Sequence, residues 1–207
     1  MAGLFYTLLA ALAVFSPGLC EKTFLQSAGV AFKDRPHTSV LTVSNGEQWG
    51  NWTWPEMCPD QFLAVGFSVR VKIQTHGPNV DDTALNGIRL FCSKDDSRDF
   101  IISNPHLGSF LTPQYCPTGV LTSFQLCVEP YQGPSGDDTA ANNIKFRCSS
   151  DPILESTGAI WGKYGDWSQG CGDGGICGID TKMEEYDPNG DNTSLNDVRF
   201  YCCAKSE

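Results

Sequence analysis

Residues 81–92 read DDTALNGIRLFC, residues 137–148 read DDTAANNIKFRC and residues 191–202 read DNTSLNDVRFYC. All three have the form D-[DN]-T-[AS]-x-N-x-[IV]-[RK]-[LF]-x-C, at steps of 56 and 54 residues. Self-similarity at a fixed period marks an architecture of repeated units. Working outward, a second motif precedes each copy: WGNWTWPEMC (49–58), LGSFLTPQYC (107–116) and YGDWSQGC (164–171), the third two residues shorter before its cysteine. Between the two motifs lie AVGFSVRV (64–71), LTSFQLCV (121–128) and ICGIDTKM (176–183). Alternation puts Phe67, Val69 and Val71 on one face, then Phe124, Leu126 and Val128, then Ile179, Thr181 and Met183. Period-two alternation signals half-buried strands.

The fold class follows. Gly and Pro total 33 and punctuate short runs rich in β-branched and aromatic residues. No segment after the N-terminus sustains a 3.6-residue apolar period, so the chain reads as all-β. The repeats span about 38–93, 94–149 and 150–204, with Val40–Val43, Ile101–Ser103 and Ala159–Trp161 as their opening strands. A unit of roughly 55 residues is too small to bury both faces of its own sheet. Three sheets around a shared core, in one domain of pseudo-threefold symmetry over 21–207, are expected rather than three independent domains.

Charge and cysteine bound the function. The 207 residues carry 14 Lys and Arg against 24 Asp and Glu, a net −10. A nucleic-acid binder needs a basic footprint that this balance lacks, and an anionic membrane surface is disfavoured equally. Leu4 to Phe15 is apolar except for Thr7, too short to span a bilayer but suited to a signal-peptide core. Ser16-Pro17-Gly18 breaks it, and small Gly18 and Cys20 place cleavage before Glu21, making 1–20 the signal peptide. Secretion turns cysteines into disulfides. Removing Cys20 from the ten leaves nine, an odd number. His37, His76 and His106 are scattered and no Cys-x-x-Cys occurs, so neither metal nor other cofactor is expected.

The polar motif admits catalytic, ligand-binding and structural readings. Asp, Asn and Thr hydrogen-bond their own backbone in turns. Thr83, Thr139 and Thr193 are therefore read as locking a turn, and Asn86, Asn142 and Asn196 as tying the strand start to a neighbouring loop. An element that recurs once per sheet suits structure better than a catalytic centre, and no catalytic residue is assigned. The aromatics Trp49, Trp52, Phe110, Trp161, Tyr164 and Trp167 are read chiefly as core, because they too recur. Trp54 has no counterpart in the other repeats. It is the candidate floor of a sugar site, with Asp82 and Asp138 as its polar contacts.

WGNWTWPEMCPDQF, GFSV, DDTALNGIRLFC, WGKYGDW (161–167) and NDVRFYCC together resemble the vitelline membrane outer layer protein I family, over roughly residues 38–203. The resemblance implies a β-prism of three Greek-key sheets and a secreted protein of an egg coat or related barrier. It also implies contact with coat glycoproteins or glycans, and a chito-oligosaccharide-elongating activity in the avian member. The competing class is a carbohydrate-active protein, either a lectin-like binder or a weak transferase. Eight cysteines match the family framework, and Cys127 is the departure. It sits out of phase with Leu126 and Val128, so it should point away from the core as a free thiol able to cross-link molecules. Repeat logic pairs Cys58 with Cys92 and Cys116 with Cys148, while Cys171, Cys177, Cys202 and Cys203 pair among themselves in either arrangement. Of two glycosylation sequons, Asn51-Trp52-Thr53 is expected to be occupied and Asn192-Thr193-Ser194, inside the repeated turn, is not.

Overall fold

The computed structural model describes residues 25–26, 35–72, 84–94, 100–103, 109–133, 139–185 and 193–205. The expected signal peptide and Asp82, Thr83, Asp138 and Asn192 lie outside them. The described residues form strands only: β1 (Leu25–Gln26), β2 (Ser39–Leu41), β3 (Asn51–Trp52), β4 (Glu56–Met57), β5 (Leu63–Val71), β6 (Leu85–Ser93), β7 (Phe100–Ser103), β8 (Gln114–Tyr115), β9 (Leu121–Val128), β10 (Ala141–Cys148), β11 (Ile153–Glu155), β12 (Lys163–Tyr164), β13 (Gly174–Met183) and β14 (Leu195–Ala204).

They make three sheets. The first is ordered β1-β7-β6-β5-β8, the second β11-β10-β9-β12, and the third β2-β14-β13-β3, with β4 also on β13. Each is centred on a long antiparallel hairpin, β5–β6, β9–β10 or β13–β14. In the first two sheets the following strand adds beside the hairpin's second strand, and the next returns beside its first, which is the Greek-key order.

One expectation is corrected here. Ala159–Trp161 is not a strand; Ile153–Glu155 is, and it pairs with β10. Cys148 donates its N–H to Pro152 and Asp151 (φ 82°) donates to Cys148, so a tight turn sends the chain straight back along the open edge of β10. The opening strand of a repeat thus completes the sheet of the repeat before it. In the third sheet β2, β3 and β4, from the N-terminal side of the chain, take these places.

The inward faces meet in one core. Phe67, Phe124, Phe146 and Phe200 are each at most 1% exposed. Phe146 touches rings from the other two sheets, with centroids 4.6 Å from Phe67 and 5.1 Å from Phe200, and Phe124 lies 4.8 Å from Phe200. The residues assigned inward by alternation are buried there, apart from half-buried Val71.

Asn86, Asn142 and Asn196 are the extra residues of β-bulges. Arg70 pairs with Gly87 and Val71 with Leu85, leaving Asn86 unpaired between them, and the other two sheets repeat the pattern. A bulged residue can turn its amide back on the preceding turn. Asn142 Nδ2 donates to Thr139 Oγ1 at 2.7 Å, as Asn196 does to Thr193 at 2.7 Å. The freed backbone carbonyls accept Ala159 N–H and Glu47 N–H.

Disulfides join Cys58–Cys92, Cys116–Cys148, Cys171–Cys202 and Cys177–Cys203. The first three share one geometry. Cys58 donates its N–H to Cys177 in the third sheet, yet bonds Cys92 in the first. Cys116 hangs from Val65 in the first sheet and bonds Cys148 in the second. Cys171 hangs from Thr122 in the second and bonds Cys202 in the third. Each sheet is thereby stitched to the next around the axis.

Candidate functional site

The edge strands β3 and β12 are built alike. Gly50 (φ 76°) and Gly162 (φ 78°) each press on a carbonyl at the end of a hairpin strand, Met183 and Val128. Such φ values suit glycine. Thr53 N–H then bonds Thr181 and Gly165 N–H bonds Leu126, so Trp52 and Tyr164 occupy equivalent places. Leu111 N–H bonds Val69 in the first sheet, which puts Phe110 there. The third copy of the aromatic motif is therefore Trp161-Gly162-Lys163-Tyr164, three residues before the one matched by sequence. Tyr164-Gly165-Asp166-Trp167 has the same spacing, and only the backbone at Gly162 separates the two.

These aromatics do not fill the core. They lie on the outer face of each sheet beneath the basic residue of the repeated motif. Arg199 Cζ is 3.8 Å from the Trp52 centroid, Arg89 Cζ 3.7 Å from Phe110, and Lys145 Nζ 3.9 Å from Tyr164. Cation–π attraction explains why aromatic and cation recur together. In the third sheet Arg199 also donates twice to the fully buried Asp180 carboxylate. In the second, Lys145 lies 3.4 Å from Glu155, which accepts the Tyr164 hydroxyl at 3.0 Å. Burial, then that hydrogen bond, pushes the Tyr164 phenol up, so it stays a donor.

Beside Tyr164 a groove of about 720 Å³ opens between the second and third sheets. One wall is the turn Asn45-Gly46-Glu47 beyond β2; the other is the start of the β9–β10 connection, Glu129, Pro130 and Gln132, with Lys163 and Tyr164 from β12. Asn45 crosses the gap and donates from Nδ2 to Leu126 O at 2.9 Å, while its Oδ1 has no partner. Glu129 is held by Thr139 Oγ1 at 2.7 Å. Trp49, two residues past Glu47, and Tyr131, between Pro130 and Gln132, meet edge to face at 5.8 Å and are 38% and 52% exposed. Two carboxylates, two amides, an ammonium and the Tyr164 ring suit a polyhydroxylated ligand, which offers donors, acceptors and apolar ring faces together.

Sequence reasoning missed Glu47, Glu129 and the Trp49–Tyr131 pair. The Asn45-Gly46 dipeptide marks a turn, but nothing in the sequence brings it to residue 129. Trp54 is 76% exposed and does not line the groove. Asn51 is exposed on β3. Cys127 points off the core, as its phase indicates, but it is only 6% exposed and donates to Trp161 O at 3.3 Å. That cover counts against an intermolecular disulfide. No group of metal-ligating side chains occurs among the described residues, and no helix there is long and apolar enough to cross a membrane.

Comparison with known proteins agrees with this architecture. The chain is 46% identical to a mouse vitelline membrane outer layer protein 1 homolog, over 81% of the chain and 85% of the relative. It is 44% identical to a human homolog of the same name, over 81% and 84%. Among solved structures it is similar in fold to Calystegia sepium agglutinin (TM-score 0.51, 13% identity, covering 83% of this chain and 100% of that one). A mannose-specific jacalin-related lectin from Morus nigra, solved with mannose, is similar too (TM-score 0.50, 13% identity, covering 82% and 96%). The family model for vitelline membrane outer layer protein I matches residues 39–205, and the chain belongs to that family.

Proposed function

We propose that this protein is a secreted, extracellular component of a vitelline-type coat or barrier that contacts the glycans of coat glycoproteins through the groove between its second and third sheets. In this reading residues 1–20 are removed, 21–207 remain as one β-prism domain, and Asn51 carries a glycan. The observation that carries the glycan reading is the groove itself, lined by Glu47, Glu129, Gln132 and Tyr164, with the exposed Trp49–Tyr131 pair on the same two connecting segments. Lectins of similar fold, one solved with mannose, support it by analogy. The net −10 favours a neutral or amino-sugar ligand in this acidic groove.

Titration with N-acetylglucosamine oligomers, followed by tryptophan fluorescence, tests this. Saturable binding is expected, weakened up to about tenfold in Tyr131→Ala, since an aromatic contact contributes about 0.5–1.5 kcal/mol. Binding that is absent, or unchanged by Tyr131→Ala and Glu129→Gln together, would overturn it. The presence of two carboxylates in one groove favours the weak-transferase reading as the second. Mass analysis of the same incubations decides it: longer oligomers that vanish in Glu129→Gln would make the groove catalytic.

A further inference from the structure

The three sheets neutralise their outer-face cations differently. In the third sheet, Arg199 faces Asp180 across β13, and Lys182 faces Asp197 across β14. In the second, Lys145 faces Glu155 on β11. The first sheet has two arginines on this face, Arg70 and Arg89, and each of those acidic positions is changed. Ser68 stands where Asp180 does, Gly87 where Asp197 does, and Ser103 where Glu155 does. Ser68 is itself engaged, donating from Oγ to Leu111 O at 2.5 Å.

Both guanidiniums share one ring. Arg70 Cζ lies 4.5 Å and Arg89 Cζ 3.7 Å from the Phe110 centroid. The Nε of each is buried without a hydrogen-bond partner, and among the described residues no carboxylate pairs with either. Both residues remain partly exposed. Burial, and then the charge of Arg70, pull the Arg89 pKa down. Two like charges are thus held together on an acidic protein, with the acids of the sister sheets removed.

We infer that Arg70, Arg89 and Phe110 form an oxyanion-binding site on the outer face of the first sheet, which takes a single carboxylate or sulfate group at the end of an acidic saccharide. Arginine forks match the planar and tetrahedral oxygens of such groups, and the partly exposed Phe110 ring offers an apolar surface beside them. The net −10 selects against extended polyanions and leaves a lone terminal group as the fitting ligand. The saccharide part rests on the glycan reading above; the site shares no residue with the groove.

The test is side-chain Nε–Hε NMR of the full mature chain, titrated with 3′-sialyllactose, lactose 3′-sulfate and plain lactose. One or both acidic sugars should shift the Arg70 and Arg89 resonances, with affinity falling as salt rises, and lactose should not. A response to sialyllactose alone identifies a carboxylate, and a response to the sulfate alone identifies a sulfate ester. Arg89→Gln should weaken binding at least tenfold. Arg89→Lys, which keeps the charge and loses the fork, should weaken it several-fold in a chain that retains the ring contact. The site is refuted if neither acidic sugar shifts these resonances, if lactose shifts them equally, or if Arg89→Gln binds as wild type. N-acetylglucosamine binding that depends on Tyr131 reports the groove separately, so either reading can fail alone.

Discussion

Asp197 shows how one side chain sets a pH dependence. It sits under Gly46, where a Cβ would collide with its carboxyl. Burial outweighs the Val198 N–H bond and the nearby Lys182 and Arg199, and its pKa is pushed up to about 6. The folded state therefore holds a proton that the unfolded chain releases from about pH 4 upward, so stability falls as pH rises from about 4 to 6. Partial solvent screening limits the effect to on the order of 1–2 kcal/mol. Asn143 holds the equivalent place in the second sheet and makes the same bond to the next N–H, Ile144, at 2.8 Å. Asp197→Asn should thus be more stable at pH 8 by on the order of 1 kcal/mol and lose the slope, as urea melts at pH 4 and 8 would show. Cys127 makes a second prediction. Burial raises its thiol pKa against the opposing charge of Lys145. Iodoacetamide should label native protein far more slowly than urea-unfolded protein, and Cys127→Ser should leave the dimer content on non-reducing gels unchanged. Rapid labelling of the native state would show that Trp161 does not cover it.

At the scale of the element, the edge strands depend on two glycines. Gly50→Ala and Gly162→Ala each place a Cβ against a hairpin carbonyl at positive φ. Each should cost about 1–3 kcal/mol, read from denaturant midpoints, whereas Gly170→Ala, with open space around it, should cost well under 1 kcal/mol. These strands also show what the sequence could reveal. The inward alternation of β5, β9 and β13 was legible because burial has period two and recurs three times. The opposite face was misread, because recurrence marks any repeated contact, and Trp52, Phe110 and Tyr164 recur for the cations above them. The register of the third aromatic motif was ambiguous because WGKYGDW matches twice. The groove was not legible at all: Glu47 and Glu129 are 82 positions apart in the chain, and only the packing of the second sheet against the third brings their loops together.

Across the whole molecule, closure depends on chain order. Residues 39–57 complete the sheet formed by 174–204, and Cys58–Cys92 then fastens that edge to the first sheet. Removing this bridge with Cys58→Ala/Cys92→Ala should cost about 3–4 kcal/mol for a 34-residue separation, with β2–β4 losing amide-exchange protection before the β9–β10 hairpin. Simultaneous loss in both would mean that the ring opens only as a whole. The same arrangement has a consequence for assembly. A segment that docks on the far end of its own chain can dock as well on the far end of another copy, since the contacts are identical. Closed on itself, the chain is a monomer; passed from copy to copy, it is a linear polymer with no new interface. The Cys58–Cys92 bond is the latch that holds the protein in the first state. Concentrated refolding of the latchless double variant should therefore yield a ladder of strand-exchanged oligomers on size exclusion, and the wild type should not.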